Sequence, residues 1–233
     1  MTDLEAIRAR HSVRRYKDKP LDADAVEALR SRIREINAGG ELHFQLVTEE
    51  PKAFSGLLAY GVFRGVRNYI IVAGKKSDKL DFKAGYYGEE LVLLAQRLGL
   101  NTCWVGLNYR KVGGTYTLES GEKILCYIAV GYGETQGHSH KVKDLDEVSN
   151  AEASTPIWFI KGVQAALLAP SAINQQKFRF DYIAPAQPGD KAIVRATRKF
   201  SAVGYTKIDL GIAMRHFEIA APSNDNRYLI DYH

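Results

Sequence analysis

The spacing of apolar and polar positions divides the chain into helical and extended stretches from its first residues. Residues 4–9 form a short helical run that ends at a basic loop. Asp22 stands as an N-cap ahead of Ala25, Val26, Leu29 and Ile33, whose spacing predicts a helix with one apolar stripe, and Asn37-Ala38-Gly39-Gly40 ends it. Residues 42–48 and 69–73 are predicted strands, the second apolar throughout, as suits a sheet interior. The longest predicted helix covers 81–98: Leu91, Leu94, Ala95 and Leu98 repeat at three and four, and Gly99 stops the run. Residues 101–107 and 124–131 add buried strands or turns, and a glycine-rich exit follows over 131–139.

Polar residues 144–154 read as a connector, after which the order begins again. A helix is predicted over 156–168, strands over 180–183 and 192–196, and a helix over 207–220. Helix, strand, strand, long helix is also the order of residues 22–98, with Gly204-Tyr205-Thr206-Lys207 in the place of Gly85-Tyr86-Tyr87-Gly88. This predicts a diverged internal duplication, with halves 1–150 and 151–233 forming one compact unit. Residues 228–232 alternate apolar and polar and are expected to add an edge strand.

Composition narrows the function classes. The 233 residues are 45% hydrophobic and 25% charged, the balance of a globular protein with a substantial core. No apolar run approaches the roughly 20 residues that span a bilayer, and the acidic opening lacks the layout of a signal peptide, so a cytoplasmic protein is expected. Two cysteines, Cys103 and Cys126, lie in apolar runs and predict buried thiols rather than a disulfide or a metal site. The net charge of +5 permits nucleic-acid binding, but the basic residues alternate with acids on helix faces and no matching motif accompanies them.

The densest cationic cluster is Arg10-His11-Ser12-Val13-Arg14-Arg15. Arginine forks bond phosphate oxygens in pairs, a serine adds a neutral donor, and alternation sends Arg10, Ser12 and Arg14 to one side of an extended segment. Lys141 and Lys143 alternate likewise. A second cluster, Ala169-Pro170-Ser171-Ala172-Ile173-Asn174-Gln175-Gln176, follows a helix and offers uncharged donors suited to the polar edge of a flat heterocycle. In Asn101-Thr102-Cys103-Trp104-Val105-Gly106-Leu107, Gly106 permits close backbone approach to a ring, and Trp104 is either a pocket wall or a core side chain.

Together these segments resemble the flavin-dependent nitroreductase family. Arg10-His11-Ser12-Val13-Arg14 is similar to its phosphate-binding signature, Pro170-Ser171-Ala172-x-Asn174-x-Gln176 to its Pro-Ser-x-x-Asn-x-Gln-Pro signature, and the 85–106 stretch to its central helix and Cys-Trp-hydrophobic-Gly segment. The chain departs from the usual pattern in two ways: the Pro-Ser segment stands in the second half, and Lys177 replaces the final proline. The resemblance implies an α+β fold with a central, mostly antiparallel sheet flanked by helices. It also implies a single-chain branch in which two pseudo-symmetric halves imitate the family's dimer.

By the same resemblance, Arg10, His11, Ser12 and Arg14 hold the FMN phosphate and ribityl chain, with Lys141 or Lys143 near the phosphate or the pyrimidine edge. Pro170, Ser171, Ala172 and Asn174 line the ring, and the backbone of Val105, Gly106 and Leu107 lies near N5. Aromatic residues within 54–63 are expected to cover the open face of the ring. No strictly catalytic residue and no metal ligand is expected. The implied activity passes hydride equivalents from NADH or NADPH through FMN to a small nitroaromatic or quinone-like acceptor; the alternative is a flavin carrier or sensor without turnover. A monomer is expected, with a homodimer left open, and neither nucleic acid nor membrane as partner.

Overall fold

The computed structural model describes residues 1–56, 59, 61–187, 189–222 and 228–232. By internal packing the chain divides into two compact units, Met1–Ser139 and His140–His233. The first contains α1 (Asp3–Ala9), α2 (Ala23–Asn37), β1 (Gln45–Val47), a 3-10 turn at Lys52–Phe54, β2 (Asn68–Lys75), α3 (Leu80–Arg97), β3 (Asn101–Val105) and β4 (Glu122–Gly131). Its four strands are ordered β1-β2-β4-β3, with every neighbour antiparallel.

Period-two alternation sorts the side chains of this sheet. On one face, Tyr69, Ile71, Ala73, Cys103, Val105, Tyr127 and Ala129 pack with Val13, Tyr16, Phe54 and Val66. On the other, Val130 joins Ala25, Leu29, Ala95 and Leu100 from the helical side. Asp22 does precede α2, but its carboxylate accepts from the Tyr132 hydroxyl (2.6 Å) rather than capping the helix.

Phe54, expected to cover a ring face, is turned into the core. It is buried, edge-on to Phe63 at 5.3 Å between centroids and tilted against Tyr69 at 5.7 Å. Leu57, Leu58 and Tyr60, from the same stretch, lie outside the described residues. Beside Phe54, Tyr109, Tyr127 and Tyr69 form a stack with centroid spacings of 3.9 and 5.0 Å.

The second unit contains α4 (Leu145–Val148), α5 (Ile157–Leu167), a 3-10 turn at Ala172–Asn174, β5 (Phe178–Ile183), β6 (Ala192–Arg198), α6 (Thr206–Ala220) and β7 (Tyr228–Tyr232). β5 and β6 are antiparallel, and β7 joins β6 in parallel as an edge strand. Phe180 stacks on Phe217 of α6 at 5.0 Å, and Trp158 of α5 stacks on Tyr228 at 4.9 Å. Each fully buried phenylalanine contributes about 1.5–3 kcal/mol by leaving water.

The stretch expected to be a connector is structured. It carries α4, Ser149 bridges Phe180, and Asn150 exchanges hydrogen bonds with the backbone of Tyr182 (2.7 and 2.9 Å). Residues 140–150 therefore pack as part of the second unit. The α5-β5-β6-α6 order repeats the α2-β1-β2-α3 order of the first unit, and the strand pair is antiparallel in both.

Candidate functional site

The basic loop is built into the sheet of the first unit. Ser12 bridges Thr102 of β3 in parallel, and the Val13 N–H donates to the Thr102 carbonyl at 3.0 Å. Arg10, Ser12 and Arg14 all act on Cys103 of β3. Burial pushes the Cys103 thiol up, while Arg14, Arg10 and a hydrogen bond with Ser12 hold it back. The two guanidiniums and the hydroxyl thus converge on one β3 side chain.

Their exposures differ. Arg10 is only 4% exposed; burial lowers its guanidinium from the ordinary value, and the charge of Glu89 pulls it back up. Arg14 is exposed, and among the described residues no carboxylate pairs with it. His11 and Ser12 are half-buried. Of Arg10 and Arg14, it is therefore Arg14 whose charge is available to a ligand.

Trp104 is half-buried and leans on the central helix α3. Its indole N–H donates to Glu89, a fully buried carboxylate of α3, at 2.9 Å. The ring lies so close to Gly88 that a Cβ there would collide with it, so only glycine lets β3 and α3 approach this far. The Trp104–Glu89 hydrogen bond ties β3 to the central helix, and the Glu89 charge acts on Arg10 at the base of the loop. Beyond Trp104 the chain emerges: Val105 is buried, Gly106 half-buried and Leu107 75% exposed.

In the second unit, Lys141 and Lys143 come together with the Pro-Ser turn. Asn174 Nδ2 and Gln176 Nε2 both donate to the Lys141 carbonyl, at 2.8 and 2.9 Å. The Lys143 N–H donates to Gln176 Oε1 at 3.0 Å, and its Nζ to the Gln176 carbonyl at 3.1 Å. Ser171 Oγ accepts the Gln176 N–H at 3.0 Å. The Asn174 amide and Gln176 thus hold the turn together, while the Lys141 side chain stays exposed. Pro170 is buried, and Ser171 and Ala172 are half-buried.

The turn is strained: Ile173, Asn174 and Gln176 have φ of 48°, 57° and 45°, in the left-handed region that side chains disfavour. Asp209 of α6 braces it from beneath. This 2%-exposed carboxylate accepts the Ala172 N–H at 3.0 Å and Gln175 Nε2 at 2.7 Å. Gln175 Nε2 also donates to the Gly204 carbonyl at 2.9 Å, whereas its Oε1 is buried without a partner. Burial pushes the Asp209 carboxyl up to about 6, against the two donors that favour its charged form.

A family model described as "Putative TM nitroreductase" matches residues 3–221. The chain belongs to the nitroreductase family. It thus belongs to an oxidoreductase family whose α+β architecture matches the antiparallel sheet and flanking helices described above. It is similar to the crystal structure of a putative nitroreductase from Thermotoga maritima, with 21% identity and a TM-score of 0.66 over 99% of this chain and 88% of that one. A nitroreductase family protein from Clostridium difficile aligns at 18% identity and TM-score 0.51, covering 67% of this chain and all of that one (100%). A putative nitroreductase solved in complex with FMN, from Desulfovibrio desulfuricans, gives 20% identity and TM-score 0.50 over 66% of this chain and 99% of that one. Among curated proteins none matches.

The donor chemistry of this nitroreductase-family chain fits a phosphorylated flavin. In the first unit Arg14 offers an unpaired guanidinium and Ser12 a hydroxyl; in the second, taken by itself, Ser171 offers a hydroxyl and the turn at 171–176 carries no charged side chain. Asp209, which braces that turn, carried no motif in the sequence. No described helix is long and apolar enough to cross a membrane, and the described residues hold no cluster of potential metal ligands.

Proposed function

We propose that this chain is an FMN-dependent oxidoreductase that moves hydride equivalents from NADH or NADPH to a nitroaromatic or quinone-like acceptor. The reading rests on the exposed, unpaired Arg14 beside Ser12 in a chain whose family model spans residues 3–221. Arg14, Ser12 and His11 bind the phosphate and ribityl chain, and the buried Arg10, under the pull of the Glu89 charge, orients that loop. Ser171, Ala172 and Pro170 line the ring, with Asn174 fixing the turn, and the backbone of Val105, Gly106 and Leu107 approaches N5. Lys141 and Lys143 supply positive charge. FMN, when bound, supplies the hydride chemistry, and the protein fixes the ring and shields one of its faces.

The repeated order of elements supports a duplicated chain, its halves meeting near residue 140 rather than 150, that acts as a monomer in place of a dimer, in the cytoplasm. The freshly purified protein should be yellow and should bleach on anaerobic addition of NADPH or NADH. Arg14→Ala should weaken FMN binding at least about tenfold while leaving the circular dichroism unchanged. A colourless protein without micromolar FMN affinity would overturn the proposal, and a yellow one that no nicotinamide donor bleaches would reduce it to a flavin carrier.

A further inference from the structure

Arg15 and Arg64 form a cationic pair that lies outside the family signature. The Arg64 N–H donates to the Arg14 carbonyl and the Tyr16 N–H to the Arg64 carbonyl, both at 2.9 Å, so Arg15 and Arg64 are partners in a parallel bridge. On the opposite flank the Glu134 N–H donates to the Arg15 carbonyl (2.9 Å), and the Lys17 N–H to the Tyr132 carbonyl (2.8 Å). The backbone of Arg15 is thus held from both sides. Gly65 makes the first contact possible: its φ is +73°, and a Cβ would collide with the Tyr16 carbonyl.

Tyr16 turns into the core, its hydroxyl donating to the Val13 carbonyl at 2.7 Å, so Arg15 projects the other way. Both Arg15 and Arg64 are exposed. Bridge partners project their side chains from one face, roughly 5 Å apart, and like charges so placed repel. The usual relief is a carboxylate. Arg67, on the same segment, has two, Asp18 and Glu49. Among the described residues Arg15 and Arg64 have none, and Glu134, whose backbone touches Arg15, pairs with neither.

Two guanidinium forks on a rigid ladder, left without an acid, match the oxygens of a dianion. We infer that Arg15 and Arg64 together bind the phosphomonoester of a nucleotide. Two sources share that chemistry: the ribose 2′-phosphate of NADPH and the phosphate of FMN. Both follow from the activity proposed above, but the pair itself does not depend on flavin being bound.

The test uses the full chain with Arg15→Ala, Arg64→Ala and the double variant, each checked for an unchanged circular dichroism spectrum. Adenosine 2′-monophosphate is titrated by calorimetry, and FMN and riboflavin are titrated by flavin fluorescence. Each single variant should weaken at least one of the two phosphorylated probes about tenfold or more, and leave riboflavin unchanged. Loss of adenosine 2′-monophosphate assigns the pair to the nicotinamide donor; loss of FMN assigns it to the flavin phosphate. Arg64→Lys, which keeps the charge but not the fork, should recover only part of the affinity. A colourless protein that still binds adenosine 2′-monophosphate through this pair would sink the flavin reading and leave the inference standing. Wild-type protein that binds neither phosphorylated probe, or variants that bind both as well as wild type, would overturn it.

Discussion

Asp209→Asn should change how the stability of the protein depends on pH, with a definite sign. The ordinary carboxyl value is 3.8, and burial beneath the 172–176 turn lifts that of Asp209 to about 6. The folded state therefore holds this proton more tightly than the unfolded chain does. Below about pH 4 both states are protonated. As pH rises to 6 the unfolded chain gives up the proton first, so stability is lost across that window and stays lost above it. The separation corresponds to about 3 kcal/mol. Other carboxylates, such as Glu41 beside Lys83, are lowered and pull the opposite way, so the wild-type curve alone mixes the two effects. A comparison with Asp209→Asn separates them. The variant loses part of the contact to Gln175 at every pH, but it carries no charge to bury. Urea unfolding followed by tryptophan fluorescence between pH 4 and pH 8 should show the variant gaining about 3 kcal/mol relative to wild type across the range. Parallel curves would mean that the Asp209 carboxyl titrates at its ordinary value, and the brace as described would be wrong.

Gly88→Ala should cost about 1–3 kcal/mol, because the added methyl enters the space of the Trp104 ring. Calorimetry should record the loss, and a red shift of tryptophan emission should place it at this contact; an unchanged melting temperature would mean that β3 and α3 are not so close. Alkaline titration at 295 nm should show three late phenols among the described residues, since burial pushes Tyr69 up to about 12, Tyr127 higher still and Tyr16 well above its ordinary value. If every tyrosine ionises near pH 10, the stack does not exist in solution.

The sequence carried the elements well where local spacing and burial agreed. The leucine repeat before Gly99 marked α3 to within a residue or so of its ends, and the apolar 69–73 run marked the middle of β2. The structure joins Lys141 and Lys143 to the Pro-Ser turn, a contact that their alternation in the sequence did not announce. Failures came where a residue's partner is distant in sequence. Arg10 looks like its neighbour Arg14 until its burial, and the charge of Glu89 on another element, are seen. Asp209 stands in an apolar helix with no motif, and its partner Gln175 lies 34 residues away. Polarity made 144–154 look like a connector, although Asp144 and Glu147 have capping-box spacing and the Asp144 N–H donates to Glu147 at 3.0 Å. Arg64 lay in a glycine-rich loop whose role depends on a bridge that no spacing rule reveals.

The parallel pairing of β6 with β7 bears on how the second unit is made. Neighbours that run the same way cannot be joined by a tight turn, so α6 must carry the chain back before β7 can dock. While α6 is still leaving the ribosome, β6 presents an open edge, with Ile193 and Val194 waiting for Leu229 and Ile230. An unfinished edge of this kind invites pairing with another nascent chain. Translation that stalls just beyond Ala221 should therefore yield aggregates and chaperone-bound product rather than a half-finished soluble protein.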